Sequence, residues 1–363
     1  MAMPIIPNAT LITVKQTARG RGVFPLTPLT KGTQLLSTDM IPAHVINREY
    51  RKEVCAQCFG YERGRTLKVR DSKAGVYFCG VDCQLAWRDA TSPSEIAAME
   101  AVESFIKAKS KGQQQPPSND DFNGGFLPDV SSLRPSTEQI NHAWNNVSAT
   151  ASFITEARSG SQARPHVRSL RAVLATSPSP DILTFLLSGI LSRAQRRGAW
   201  QALKALAADT RPYATPQDLA AHVQAYLQLL AVVPAPLVPA VKAAACRTLV
   251  SRDSHNSFGI RSLDDAGAEF FGFAVWPHAS FFNHACDPNV AKERVGRQWR
   301  FWLLRDVDEG TELCISYLGG EERELNVNNR RARLKNNWDF ECGCDRCALE
   351  SAEKDMQDLF LGE

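Results

Sequence analysis

Two spacings of apolar residues divide the chain. LITVK, from Leu11 to Lys15, alternates apolar and polar positions as a half-buried strand does. RGRGVF follows as turn punctuation, and TKGTQLLST reads as the second strand of a hairpin. From Ser94 to about Lys109, Ile96, Met99, Val102, Phe105 and Ile106 recur at helical spacing. KGQQQPPSNDDFNGG breaks that pattern, and its polar, Pro- and Gly-rich composition predicts a mobile loop. Residues 136–250 return to helical spacing in SLRAVL, DILTFLLSGIL, WQALKAL and DLAAHVQAYLQLL. Pro-rich breaks fall at Ser177–Pro180 and Pro234–Pro239. Further on, EGTELCISYLG holds a short strand-like run ending at Tyr317, and EERELNVNNRRARLK reads as helix. Strands toward both ends and helices between them predict an α+β chain.

Composition narrows the class. The chain has 363 residues, room for about two domains. A net charge of +3 is too balanced for a dedicated nucleic-acid binder. Residues 48–88 nonetheless carry nine Lys/Arg against five Asp/Glu, and residues 156–211 nine against three. A basic face toward acidic partners and a plain solvated surface both fit those stretches. No apolar run is long enough to span a bilayer, so no membrane partner is expected. The first residues lack the pattern of a signal peptide, which points to the cytoplasm, the nucleus or both. Ten cysteines in such a chain suggest metal ligands more than disulfides.

Eight of the ten fall into two sets. Cys55-Ala-Gln-Cys58 and Cys79-Gly-Val-Asp-Cys83 are two tight pairs separated by 20 residues, the spacing of one zinc site. Cys342, Cys344 and Cys347 make an incomplete tetrahedral site, and Cys286 in FFNHACDPN is the obvious fourth donor. Cys246, in an Ala-rich helix, reads as core filler. His142, His166 and His222 are unpaired in sequence and read as structural or exposed.

NHxCxPN, GxELxISY and CxCx2C, in that order, resemble a SET-domain protein-lysine methyltransferase with its post-SET zinc loop. YFCGVDCQLAW is similar to the end of a MYND finger, as in the SET–MYND family. The resemblance implies a SET-domain β-rich core, an inserted reduced finger, a helical SET insert and a post-SET zinc loop. It divides the chain at 1–47 (N-terminal SET), 48–92 (finger), 93–250 (linker and helical insert), 251–335 (core SET) and 336–363 (post-SET). It implies S-adenosylmethionine as cofactor, held by Arg21, Gly22, Asn256, Ser280, Asn283, His284, Tyr317, Trp338 and Phe340. It makes Tyr317 the catalytic residue and puts Phe258 and Trp276 on the substrate channel. Related chains carry tyrosine where Trp276 stands, so a wider, more apolar rim is expected.

The finger departs from the family. LKVRDSKAG has no cysteine, and Ala90 stands where a histidine is usual. One of two MYND zinc sites is therefore expected to be lost, leaving two structural zinc ions per chain. No long C-terminal helical domain is expected. The implied partner is a lysine-bearing protein or peptide, histone or not, with chromatin association left open and a monomer expected. Rival readings are an inactive zinc-stabilised adaptor and, more remotely, a nucleic-acid-binding zinc protein.

Overall fold

The structure is a computed structural model that describes residues 10–17, 20–110, 133–263 and 269–361. The loop expected over 111–125 lies outside the described residues. The chain separates into two compact units. The first comprises Met1–Met40, Arg261–Phe270 and Trp276–Glu363; the second comprises Ile41–Ile260 and Phe271–Val275.

The first unit is built on small strand pairings. Ile12–Thr17 pairs antiparallel with Gly20–Pro25, placing Val14 opposite Val23. This corrects the expected hairpin: RGRGVF is itself the returning strand, not the turn. Gly20, with φ +108°, supplies the bend, while Val23 and Phe24 have the bulk that suits a pleated surface. The segment Gln34–Thr38 instead pairs with Gln298–Leu303, whose other neighbour is Val290–Val295. Asn283–His284 and Cys314–Ile315 make a two-residue parallel pair. Val23, Phe282, Phe301, Leu313 and Ile315 close the core beneath it, with the Phe282 and Phe301 rings stacked at 4.8 Å.

Two helices complete this unit. Val327–Trp338 is capped by Asn326, whose side chain accepts the Asn329 N–H, and ends at Asp339 in the left-handed region. Asp345–Leu361 begins after Cys344 and carries Cys347 in its first turn.

The second unit is mostly helical over 136–250, as the periodicity predicts. Seven helices run from Thr137–Asn146 to Ala243–Asn256. The first begins on a Ser136/Gln139 capping box. Pro180–Gln195 lies at the centre, with Leu183, Leu186 and Ile190 fully buried. Its Gly189 lets Leu249 approach, since a Cβ there would lie 2.1 Å from Leu249 Cδ2. Cys246 is enclosed in this core, and burial pushes its thiol up to about 12. His222 pairs with Asp218, His166 stacks on Phe153, and His142 is exposed beside Asn146. Among the described residues no single helix is long and apolar enough to cross a membrane.

Candidate active site and metal centres

The finger cysteines meet on a short scaffold. Cys55 and Cys58 flank a tight turn that places Phe59 at positive φ. The hairpin Val69–Asp71/Val76–Phe78 delivers Cys79, and the first turn of helix Val81–Ala90 delivers Cys83. Leu67, Ala74, Phe78 and Trp87 pack behind the thiols, with the Phe78 and Trp87 rings 5.5 Å apart. The sulfurs of Cys58 and Cys79 lie 3.7 Å apart, and those of Cys79 and Cys83 3.4 Å. A tetrahedral ion with Zn–S bonds near 2.3 Å requires sulfurs about 3.8 Å apart. All four ligand atoms lie within 4.8 Å of one another, so the set fits a zinc ion. Cys79 is exposed and Cys55 buried.

The second set is wholly buried. Cys286 Sγ lies 3.9 Å from Cys342 Sγ and 3.4 Å from Cys347 Sγ, and its backbone N–H donates to Cys344 Sγ at 3.4 Å. This also fits zinc, and Cys286 is the fourth member as expected. Among the described residues these are the only two such clusters, and none marks a second finger site.

Four thiolates around one divalent ion carry a net charge of about −2, which a buried site must answer. Arg330 answers it. Its side chain is fully buried; Nε donates to Cys286 Sγ at 3.3 Å and Nη2 to Cys347 Sγ at 3.6 Å. Nη2 also meets Glu350 Oε2 at 2.8 Å. Desolvation pulls its pKa down, but Glu350 and the two sulfurs outweigh that and raise it. Sequence reasoning took NNRRARLK only as helix and missed this arginine.

Three of the expected residues, His284, Trp338 and Phe340, surround the Tyr317 ring. Tyr317 is half-buried and its hydroxyl donates to Phe282 O at 2.9 Å. Burial raises its pKa, so the phenol is neutral at physiological pH. Its ring lies 5.3 Å from Trp338, 6.2 Å from Phe340 and 5.3 Å from His284. His284 is buried, and desolvation lowers its pKa to about 4. Arg21 lies over the Phe281 ring at 5.2 Å, and the Ser280 hydroxyl closes a turn on Trp276 O.

Asn283 is the best determined of these. Its Nδ2 donates to Arg21 O at 3.1 Å and to Glu312 Oε1 at 2.7 Å. The amide orientation is thereby fixed, with Oδ1 left as the acceptor. Asn289 clamps the neighbouring strand, donating to Glu312 O at 2.9 Å and accepting the Cys314 N–H at 2.8 Å. Glu312 was visible in GTELCISY but carried no assigned role.

Gly22 makes room for the protein's own carboxylate: a Cβ there would lie 2.3 Å from Glu312 Oε1. One expectation needs correction. Trp276 is no open rim. It is fully buried, its indole N–H donates to Arg297 O at 2.8 Å, and its ring meets Trp299 edge-on at 6.0 Å. An indole is large enough to fill that space, and its N–H finds a carbonyl partner there. Asn256 and Phe258 belong to the other unit. There Asn256 Nδ2 donates to Ala207 O at 3.1 Å and Arg252 O at 2.8 Å, and Phe258 is half-buried on the strand Ser257–Arg261.

Comparison with known proteins gives the frame for this arrangement. The potential protein lysine methyltransferase SET6 of Saccharomyces cerevisiae is 24% identical over 373 aligned residues, covering 91% of this chain and 93% of the relative. Human histone-lysine N-methyltransferase SMYD3 is 33% identical over 101 residues, 28% of this chain and 22% of the relative. Histone-lysine N-methyltransferase ASHR2 of Arabidopsis thaliana is 31% identical over 112 residues, 28% of this chain and 27% of the relative. The family model described as SET domain matches residues 20–318, and the chain belongs to the SET-domain family.

Proposed function

We propose that this protein is an S-adenosylmethionine-dependent methyltransferase acting on lysine side chains of proteins. The observation that carries the reading is the pairing of Asn283–His284 with Cys314–Ile315, which sets an oriented amide beside the segment leading to Tyr317, whose phenol donates to the neighbouring Phe282 O. When bound, S-adenosylmethionine supplies an electrophilic methyl group on a sulfonium. The donor set fits that cofactor: Asn283 Oδ1 offers an acceptor to an ammonium, and Trp338 and Phe340 offer half-buried rings to an adenine.

The chain's own residues have three tasks. Asn283 binds, through an amide that Glu312 keeps from rotating. Tyr317 orients: its hydroxyl proton is committed to the Phe282 carbonyl, leaving the oxygen lone pairs to face an incoming amine. The aromatic surround excludes water. A lysine with an ordinary pKa near 10.4 is costly to deprotonate, about 4.6 kcal/mol at pH 7, and a desolvated site lowers that cost. Alignment of the amine contributes up to roughly 7–11 kcal/mol; a zinc ion held by either set of four thiolates would have no open position and would serve a structural role. Histone and non-histone lysines remain candidate substrates for a monomeric enzyme, with chromatin a candidate partner.

The test is calorimetric titration with S-adenosylmethionine, followed by labelled-methyl transfer to histones and a protein array. Cofactor binding with label on lysine is the expected result. Binding without transfer to any protein would replace the enzyme with a cofactor-binding adaptor.

A further inference from the structure

His284 stands between the buried thiols and Tyr317, two residues beyond the strand Cys314–Ile315. Its two ring nitrogens are used on opposite sides. Nδ1 lies 2.9 Å from the backbone N–H of Tyr317. An amide N–H only donates, so Nδ1 is the unprotonated nitrogen. An imidazolium has no acceptor and is excluded by the same contact. The proton of the neutral ring therefore sits on Nε2, 3.3 Å from Cys286 Sγ. In the metal-loaded protein that sulfur is a thiolate, which accepts an N–H well. The rings of His284 and Tyr317 also touch, 5.3 Å between centroids, so the imidazole cannot turn without disturbing the tyrosine.

We propose that His284 is a positioning residue that couples the Cys286, Cys342, Cys344 and Cys347 metal site to the tyrosine strand. One imidazole, locked as its Nε2–H tautomer, grips the Cys286 sulfur with one nitrogen and the Tyr317 amide with the other. Zinc would fix that sulfur in place, and so hold the ring. Without the ion the sulfur is free to shift, and Arg330, which donates to it at 3.3 Å, can draw it away. The ring then loses one of its two anchors, and the Tyr317 amide loses its fixed acceptor. The consequence for methyl transfer rests on the function proposed above; the coupling itself does not.

Three measurements on the full-length, zinc-loaded protein test this. Nitrogen-15 spectra of labelled histidine should show Nδ1 unprotonated and Nε2 protonated at position 284. Hydrogen exchange of a fragment spanning 314–318 should accelerate roughly tenfold in Cys286→Ser, the loss expected for one hydrogen bond. Should that variant fail to fold, chelator-stripped wild-type protein takes its place. Two substitutions separate the halves of the bridge. His284→Gln places an amide nitrogen near the Nε2 position, and should keep zinc but speed exchange at Tyr317. His284→Asn places a carbonyl near Nδ1, and should protect Tyr317 but speed zinc release from the C-terminal site. An Nδ1–H tautomer in the loaded protein, or loss of zinc with unchanged exchange over 314–318, overturns the coupling. Methyl transfer measured in parallel keeps the two readings apart: a wild-type protein without turnover but with the coupling intact refutes the enzyme alone.

Discussion

Asn283 and Glu312, twenty-nine residues apart in sequence, are joined by a 2.7 Å hydrogen bond from Nδ2 to Oε1. The same carboxylate occupies the space that a side chain at Gly22 would need. Gly22→Ala should therefore displace Glu312 and leave the Asn283 amide held by Arg21 O alone, without unfolding the chain. Cofactor affinity should fall about tenfold, the worth of one oriented hydrogen bond. Calorimetric titration checks it; unchanged affinity would mean that Glu312 does not set the Asn283 orientation.

Tyr317→Phe removes only the hydroxyl that donates to Phe282 O. Turnover should drop roughly 100- to 1000-fold, as for loss of a pre-aimed polar group in a catalytic site. Cofactor affinity should stay near wild type. Single-turnover methyl transfer beside a binding titration separates the two effects. A variant that turns over normally would remove Tyr317 from the mechanism.

Metal content follows from the two thiol sets. Elemental analysis should give two zinc ions per chain, one lost in Cys286→Ser and the other in Cys55→Ser. A third ion would mean that the finger keeps a second site built from residues other than these cysteines.

Arg330 answers the charge of the buried cluster, so Arg330→Met should leave a dianionic group unmatched. The expected cost is about 3–5 kcal/mol, the scale for breaking a buried ion pair by removing one partner. Arg330→Lys should rescue little, because one ammonium cannot reach Cys286, Cys347 and Glu350 from a rigid fork. Thermal unfolding with zinc-release kinetics reads both variants.

Asp253 gives the pH dependence. Burial raises its pKa from 3.8 to about 6, opposed by the Ser257 hydroxyl that donates to it. A carboxyl with a raised folded-state pKa contributes fully below its unfolded value and loses that contribution as pH rises through 6. Asp253→Asn should therefore stabilise the protein at pH 8, by up to about 3 kcal/mol, and do nothing favourable at pH 4. Denaturant midpoints at the two pH values decide; a gain at pH 4 that vanishes at pH 8 would reverse the sign.

Chemistry that repeats at short range was legible in the sequence. The cysteine spacings named both ligand sets, and the apolar periodicity outlined the helices over 136–250. Long-range matters were not legible. Nothing in TKGTQLLST says that Gln34–Thr38 pairs with Gln298–Leu303 rather than with its neighbour, because the alternation of a strand is the same whichever partner it finds. Arg330 looked like any helix arginine, since burial and charge partners are properties of the assembled site. Trp276 was expected at a rim because the family resemblance puts that position on the substrate channel, yet the carbonyl of Arg297 and the edge of Trp299 enclose it.

The strand pairings of the first unit also impose an order in time. Gln34–Thr38 has no partner until residues 298–303 have been made, and the Arg21 carbonyl waits 262 residues for Asn283. At about 5–20 residues per second on the ribosome, that interval is roughly 13–50 s. For its duration Gln34–Thr38 leaves the ribosome as an open edge, able to pair with whatever chain is nearest. A synthesis that stalls between those points strands the polypeptide with no way to close that edge. Truncated chains ending before residue 298 should accordingly bind chaperones, while the full-length chain is released.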